Sequence, residues 1–255
     1  LEWWMYRKAD AIVTFAPGAR AGVLQREVSP DKVHLLPAAC GVTPAHAPSF
    51  PWRPDGVGVG DFVVVVPTTN DHTQDLDIVL DAAVELRRRG EHGLRMVLVG
   101  VREGRPALER RIREEHLHAV VLAPSLSAEE RPALLAGADV GLITAANIPS
   151  FYQGLPWPVF YECLAAGLPV VTNLPGWHGE AIEDARCGYT VLPNQPKLLA
   201  DALQQARKAG RDARQTLGER ARRLGQQIAP EGSHFRKELE LLEEVGGKRG
   251  KAASG

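Results

Sequence analysis

Short apolar runs separated by helical segments constrain the fold of this chain more than any other feature. The clearest run is FVVVV at 62–66, which is apolar at every position. A strand that is apolar on both sides belongs in a sheet whose two faces are covered, which is typical of parallel sheets. A buried helix face follows at three-to-four spacing: Leu76, Val79, Leu80, Ala83 and Leu86. The alternation predicts βαβ units, and therefore an α/β fold with a Rossmann-like parallel sheet and helices on both faces.

Two unequal groups of strands are predicted. The first two strands lie at 11–15 and 32–37, on either side of a helix at 19–27. A stretch at 42–61, rich in Pro and Gly and without a period, is typical of an interdomain linker. The strands after it are predicted at 62–66, 95–100, 119–122, 139–143, 169–172 and 189–191. Later helices are predicted at 106–116, 128–136 and 197–227, before a last amphipathic helix with Phe235, Leu239, Leu242 and Val245 on one side.

Composition excludes several classes of protein. The formal net charge of −1 gives no general attraction to nucleic acid or to an anionic membrane. No run of about 20 apolar residues is present, so no membrane span is predicted and we expect a cytoplasmic protein. Cys40, Cys163 and Cys187 are odd in number and far apart. They predict reduced thiols, without a disulfide framework or a metal site.

An aromatic patch lies near the start of the chain, at Trp3, Trp4, Met5 and Tyr6. Such a patch can bind a membrane surface or pack against a further domain. We favour packing, so the expected membrane contact is peripheral at most. The first residues, LEWWMYRKAD, read as the middle of a larger protein.

The segment QGLPWPVFYECLAAGLPVVTNLPG, at 153–176, carries the clearest functional signal. Its one acid, Glu162, is predicted in the first turns of a helix that precedes a buried strand. A carboxylate there lies beside the carboxyl ends of the strands, where open parallel sheets bind ligands. An ionised carboxylate only accepts hydrogen bonds, which suits the two neighbouring hydroxyls of a ribose. The segment therefore predicts a nucleotide site, although a glutamate near a helix N-terminus is favourable whatever its role.

Long blocks of the sequence resemble glycosyltransferases of the GT-B fold, specifically glycosyltransferase family 4, the group 1 transferases. ADAIVTFAPGARAGVLQREVSPDKVHLLPAACGV is similar to the last unit of the family's amino-terminal domain. The carboxyl-terminal, donor-binding domain is resembled by FVVVVPTTNDHTQDLDIVLDAAVELRRR, RMVLVGVREG and AVVLAPSLSAEERPALLAGADVGLI. The longest and most specific block is GLPWPVFYECLAAGLPVVTNLPGWHGEAIEDARCGYTVLPN.

The resemblance implies a division of the chain into five parts. They are the last βαβ unit of an amino-terminal GT-B domain at 1–43, an interdomain linker at 44–61, the donor-nucleotide-binding domain at 62–228, a helix crossing back to the amino-terminal domain at 229–247, and a disordered tail at 248–255. We expect residues 233–245 to pack against the 1–43 unit. Most of the amino-terminal domain, which would bind the acceptor and carry other catalytic groups, is not part of this sequence.

The resemblance also implies a set of site residues. A glutamate pair, E-x₇-E, holds the donor in this family, and Glu162 matches the second glutamate, near the ribose. Gln153 stands where the first would face the sugar, one residue too far from Glu162, so it is a candidate sugar contact only; a gap-free count places Gly154 there instead. The other candidates for donor binding are Thr69, His72, Arg102, Arg105, Ala123, Ser125, Gly176, His178 and Gly179.

Two features depart from the family pattern. The first glutamate is missing, and the loop at 68–74 has no Arg or Lys where many members neutralise the donor diphosphate. A diphosphate favours cations and backbone N–H donors. His72 would partly replace the missing cations, since an imidazole titrates near neutrality. Arg102 and Arg105 are expected at the rim, the edge of the sheet formed by the carboxyl ends of its strands. The family approaches the donor phosphates with backbone near His178, and the side chain of His178 is more simply interpreted as a residue at the start of a helix.

The leading hypothesis is a glycosyltransferase that uses a UDP- or GDP-linked sugar. By resemblance it would retain anomeric configuration and need neither a metal nor another cofactor. The nucleotide base would lie near 123–126. A degenerate, non-catalytic domain that acts as a binding or scaffolding subunit remains open, as does a two-chain transferase with its amino-terminal domain on another polypeptide. A sugar-nucleotide epimerase of the same fold is a further alternative that the sequence blocks resemble less.

Overall fold

The structure is a computed structural model that describes residues 2–36, 53–68, 73–127, 130–154, 157–228 and 233–253. Within these residues the chain alternates strands and helices along its length. The strands are β1 (Ile12–Thr14), β2 (Val33–Leu35), β3 (Phe62–Pro67), β4 (Leu94–Val99), β5 (Val120–Ala123), β6 (Val140–Ile143), β7 (Val170–Thr172) and β8 (Gly188–Thr190). Each lies within two residues of its predicted position, which confirms the α/β fold and its parallel sheet.

The α-helices of the described residues precede, flank and follow the large sheet. They are α1 (Glu2–Lys8), α2 (Pro17–Leu24), α3 (Asp77–Arg88), α4 (Arg105–Glu114), α5 (Arg131–Ala136), α6 (Pro158–Ala166), α7 (Trp177–Ala185), α8 (Pro196–Lys208), α9 (Gly210–Ile228) and α10 (Ser233–Ala253). The helical region predicted at 197–227 is confirmed, and the structure divides it into α8 and α9. Gly210, the first residue of α9, adopts a φ of +77°, which the interior of one continuous helix would not accept.

Six parallel strands form the large sheet, in the order β5-β4-β3-β6-β7-β8. In the register of β3, Val64 lies opposite Met96 on one side and Val140 on the other. The chain adds strands outward from β3 on one side and then outward from β6 on the other. The point between β3 and β6 is therefore the topological switch point, outside which open parallel sheets bind their ligands.

The side chains of β3 explain why both faces are covered. Val64 and Val66 belong to one buried cluster with residues of α3 and α8. Val63 and Val65 belong to a second cluster with residues of α6 and α9. Successive side chains of a strand point to opposite faces, so an all-apolar strand requires helices on both.

A small unit precedes the large sheet. Its strands β1 and β2 form a two-stranded parallel sheet, and its buried cluster contains Val23, Val28 and Val33. The unit lies against the rim of the large sheet at Gly154. A Cβ at Gly154 would lie 2.5 Å from the Cβ of Ala16, and the φ of Gly154 is +89°. A glycine at 154 therefore allows the two units to touch.

Two features at the end of the chain differ from the expectation. Leu239 and Leu242 of α10 expose 51% and 64% of their surface, so they do not pack against the small unit; the side chain of Phe235 lies outside the described residues. Residues 248–253, expected to be disordered, continue α10. Among the described helices, none combines the length and the apolarity that a membrane crossing requires.

Candidate functional site

A cleft of about 170 Å³ lies at the carboxyl ends of β3, β4 and β5. It spans the switch point, because one wall follows β3 and the other belongs to α5 and α6. The residues that line it are Pro67, Thr68, Val99, Gly100, Ser125, Leu126, Arg131, Leu134, Leu135, Val159 and Glu162. Two predicted site residues, Ser125 and Glu162, therefore meet in one place.

Glu162 is the buried acid of this cleft. Its helix, α6, starts with Pro158 at the first position and is held by Phe160 and Leu164, which are fully buried. The side chain of Glu162 is 12% exposed, and its Oε1 accepts a hydrogen bond from Nη1 of Arg131 at 2.9 Å. Burial raises the pKa of the Glu162 carboxyl, and the Arg131 charge opposes that rise. The ion pair therefore favours a carboxylate where burial alone would favour the acid.

Arg131 is the site residue that the sequence analysis missed. The backbone N–H of Ser127 donates to Oε2 of Glu130 at 2.9 Å, and the N–H of Glu130 donates to Oγ of Ser127 at 3.3 Å. This reciprocal pair has the form of a capping box, which marks where a helix begins. The pattern Ser-x-x-Glu was visible in the sequence, and it indicates a helix start just before Arg131, the first residue of α5.

The floor of the cleft is made of small side chains at three strand ends. Oγ1 of Thr68 donates to the carbonyl of Val99 at 2.8 Å, which ties the ends of β3 and β4 together. A Cβ at Gly100 would lie 3.3 Å from Oγ of Ser125, so the two residues are close neighbours. Ala123, predicted near the base, is buried at the end of β5 and does not line the cleft.

The segment 176–179 leads into α7 on the other half of the sheet. Gly176 adopts a φ of +64° and a ψ of −141°, and a Cβ there would overlap the carbonyl oxygen of Tyr152. Glycine is required for both reasons. The first amides of α7 follow directly, and helix N-termini of this kind are favourable for anions.

His178 lies in the core and not on the open rim. Its side chain is 1% exposed, with ring centroids 4.9 Å from Phe160 and 4.8 Å from Trp177. Burial lowers the pKa of His178 to about 4, so the imidazole is neutral near neutral pH. Its Nε2 has no hydrogen-bond partner within the part of the chain that the structure describes. A phosphate contact at this position would come from the backbone.

Arg102 and Arg105 do not line the cleft with Glu162. Arg105 is paired with Glu109 one turn further along α4, at 2.8 Å. Arg102 is exposed between β4 and α4. Thr69 and His72, and the side chain of Gln153, lie outside the described residues. Their assignments stay predictions.

The cysteines described by the structure, Cys163 and Cys187, are both free and buried. Burial raises the pKa of Cys163 to about 12 and that of Cys187 to about 11, so both thiols stay protonated at neutral pH. Within the described ranges, His, Cys, Asp and Glu form no group of three or more that would hold a metal ion.

The family profile described as "Glycosyl transferases group 1" matches residues 56–224. The chain belongs to the group 1 glycosyltransferases. The match covers β3 to most of α9, which is the sheet that carries the cleft. The resemblance found in the sequence is thereby confirmed. No curated protein sequence matches this group 1 glycosyltransferase chain.

Solved structures show the same fold at low sequence identity. A glycosyltransferase from Rickettsia africae ESF-5 aligns with a TM-score of 0.75 and 16% identity, covering 95% of this chain and 66% of that one. Anabaena HepE in complex with UDP and glucose aligns at 0.73 and 17%, covering 94% and 64%. Sucrose-phosphate synthase from Thermosynechococcus elongatus aligns at 0.76 and 18%, covering 97% and 61%. This group 1 chain therefore spans less than two thirds of each.

Proposed function

We propose that the chain binds the nucleotide-sugar donor of a glycosyltransferase, with the nucleotide in the cleft at Glu162. One observation carries the proposal. A nearly buried carboxylate, paired with a cation, faces a cleft at the switch point of a parallel sheet in a group 1 glycosyltransferase. A buried charge without a function would be costly, whereas a ribose diol supplies two donors that a carboxylate accepts.

The proposed nucleotide extends along the rim. Its ribose binds Glu162, and its base lies near 123–126, against Ser125 and Leu126. The diphosphate lies between the loop at 69–72 and the segment 176–179, where the first amides of α7 donate to it. The cleft of about 170 Å³ is smaller than the roughly 300–1,000 Å³ typical of small-molecule sites. It therefore holds part of the nucleotide, with the rest bound towards the facing domain.

The proposed reaction is metal-independent transfer with retention of anomeric configuration. The amides at the start of α7 would stabilise the negative charge that develops on the departing nucleoside diphosphate. A UDP-linked donor is favoured over a GDP-linked one, because Anabaena HepE, which shares this fold, is seen in complex with UDP and glucose. The acceptor would bind to an amino-terminal domain, on the same polypeptide or on a partner.

A second candidate is a binding or scaffolding domain without catalysis. It is favoured by Gln153 in place of the first family glutamate and by the lack of Arg and Lys at 68–74. The pairing of Arg105 with Glu109 also removes one substitute cation from the rim. Donor binding is common to both candidates, so they differ in transfer and not in the ligand.

Substituting Glu162→Gln tests the site. The amide keeps the shape of the side chain and loses its charge, and a hydrogen bond to a charged group contributes roughly 1.5–3 kcal/mol. We therefore expect affinity for UDP or GDP to fall about tenfold or more, measured by calorimetric titration. The matched control is Glu85→Gln on α3, outside the cleft, whose carboxylate also pairs with an arginine at 2.9 Å and which should keep the wild-type affinity. A fall in melting temperature with unchanged affinity per folded molecule would show that Glu162 is structural.

A transfer assay separates the two candidates. The chain alone is expected to bind a nucleoside diphosphate weakly and to transfer no sugar, because the amino-terminal domain that would face the donor site is not part of this sequence. When joined to an amino-terminal GT-B domain, it should hydrolyse or transfer from a sugar nucleotide without added metal and in the presence of a chelator. Sugar transfer by the isolated chain would contradict the interpretation that this chain supplies only the donor-binding half of an active site. Binding without transfer in the joined protein would favour the scaffolding candidate.

A further inference from the structure

Arg131 occupies a position that helix stability does not explain. It is the first residue of α5, and a cation there is unfavourable beside the positive end of the helix dipole. Its side chain is 46% exposed, so it does not fill the core, yet it turns towards the cleft and reaches Glu162 at 2.9 Å. The ion pair with Glu162 is therefore the interaction that offsets the unfavourable position of Arg131 at the start of the helix.

We propose that Arg131 is a positioning residue for nucleotide binding, which holds Glu162 ionised through Oε1 and leaves Oε2 for a ribose hydroxyl. The proposal rests on the proposed function, since it concerns the same cleft. Oε1 bonds to Nη1 of Arg131, and Oε2 has no hydrogen-bond partner among the described residues. Both residues line the cleft of about 170 Å³, so a ligand there meets the pair and not the carboxylate alone.

Of the charged and titratable groups around Glu162, Arg131 is the one that acts on the pKa of the Glu162 carboxyl. On the same helix, Cys163 is a protonated buried thiol. On α9, Arg222 donates to the carbonyl of Ala166, at the other end of α6. On the turn before α5, Glu130 bonds back to Ser127. Burial is the larger influence on the Glu162 carboxyl and raises its pKa, and Arg131 is the charge that lowers it.

The consequence of losing Arg131 has a definite sign. Without the cation, the pKa of Glu162 rises further, so the carboxylate takes up a proton at a higher pH. The acid form donates one hydrogen bond and accepts fewer, and it loses the charge that favours the ribose hydroxyls. Nucleotide affinity should therefore fall on the acid side first. Because the pair is half exposed at Arg131, we expect an effect of about two- to fivefold.

A titration of the carboxyl itself tests the ion pair without any ligand. The ¹³C shift of the Glu162 carboxyl is followed against pH in the wild type, Arg131→Met and Arg131→Lys. The midpoint should move to higher pH in Arg131→Met and stay near the wild type in Arg131→Lys. The control Arg89→Met removes a partly exposed arginine that pairs with Glu85 on α3, outside the cleft, and it should leave the midpoint unchanged. Equal midpoints in Arg131→Met and the wild type overturn the proposal.

UDP binding tests the positioning role. Affinity of Arg131→Met should fall about two- to fivefold more at about pH 5 than at about pH 8, relative to the wild type, and Arg131→Lys should restore it. The Glu162→Gln variant also serves as the control for the titration of UDP itself. When Arg131→Met is added to this variant, the affinity for UDP should not change further. An equal loss at every pH, retained in that background, would mean that Arg131 contacts UDP directly and would overturn the proposal. If wild-type protein binds neither UDP nor GDP, the proposed function fails, and the carboxyl titration still decides on the ion pair.

Discussion

At the scale of single residues, burial decides which form an ionisable side chain takes near the rim. Glu162 and His178 lie on adjacent helices of the same face and are both largely buried. Glu162 has a cation at 2.9 Å, which favours its charged form against the effect of burial. His178 has aromatic neighbours and no hydrogen-bond partner for Nε2 within the described chain, so it is kept neutral. The residue type alone does not distinguish a ligand-binding group from a core group here.

His178 should make the stability of the protein depend on pH. Its pKa is about 4 in the folded state and about 6.5 when unfolded. Between these values the unfolded chain binds more protons, so the free energy of unfolding falls as the pH drops from about 6.5 to about 4. The loss should approach roughly 3 kcal/mol at the acid end. Urea unfolding across this range should show the slope in the wild type and a flatter profile in His178→Phe.

His118 supplies the matched control, because its side chain is exposed. A His118→Gln variant should keep the wild-type slope. An unchanged slope in His178→Phe would contradict the assignment of His178 as a neutral core residue.

At the scale of elements, side chains at the strand ends bind the rim loops to one another. Asn173, which follows β7, is 1% exposed. Its Oδ1 accepts from the N–H of Ala145 at 2.7 Å, and its Nδ2 donates to the carbonyl of Ala145 at 3.1 Å. Thr144, which precedes Ala145 in the chain, donates its Oγ1 hydroxyl to the carbonyl of Asp75 at 2.7 Å. The loops after β3, β6 and β7 thus form one connected rim on both sides of the switch point.

Replacing Asn173 with Ala should destabilise the fold by about 2–4 kcal/mol. The change leaves both backbone groups of Ala145 buried without their partners, and each unsatisfied group costs about 1–3 kcal/mol. Chemical denaturation measures the effect. Asn147→Ala, on the same rim but exposed, should change stability by less than about 0.5 kcal/mol. A loss below about 1 kcal/mol for Asn173→Ala would show that water or a neighbour replaces the side chain.

At the scale of the whole molecule, two units of very different size share one chain. The large sheet has two extensive buried clusters, whereas the small unit is held by a cluster of three buried apolar side chains. A two-stranded sheet is marginally stable by itself. The contact at Gly154 and Ala16 joins the small unit to the rim, and α10 contributes no cover through Leu239 or Leu242.

Hydrogen exchange should show this inequality directly. Amides of β3 and β4 should be protected to nearly the free energy of global unfolding, and those of β1 and β2 should exchange faster. Deleting residues 233–255 should change neither pattern, because Leu239 and Leu242 are exposed. If the deletion lowers protection at 12–14 and 33–35, α10 does cover the small unit in solution, as the sequence had led us to expect.

The sequence alone determined the strands, the parallel sheet and the family. Each strand is a local run of apolar residues, and a local period reports directly which faces are buried. The run at 62–66 therefore predicted a sheet covered on both faces, and the block at 154–194 predicted the group 1 glycosyltransferases and the position of Glu162 at the rim.

Tertiary structure alone decided the partners of these residues. Arg131 and Glu162 are 31 positions apart, and they meet because α5 and α6 pack in the same buried cluster on one face of the large sheet. His178 is buried because α6 and α7 bring Phe160 and Trp177 around it. An apolar stripe such as Leu239 and Leu242 shows which face of a helix is apolar, but it does not show which element covers that face. Periodicity encodes the orientation of a side chain within its own element, whereas its pKa and its partners depend on elements that are distant in the sequence.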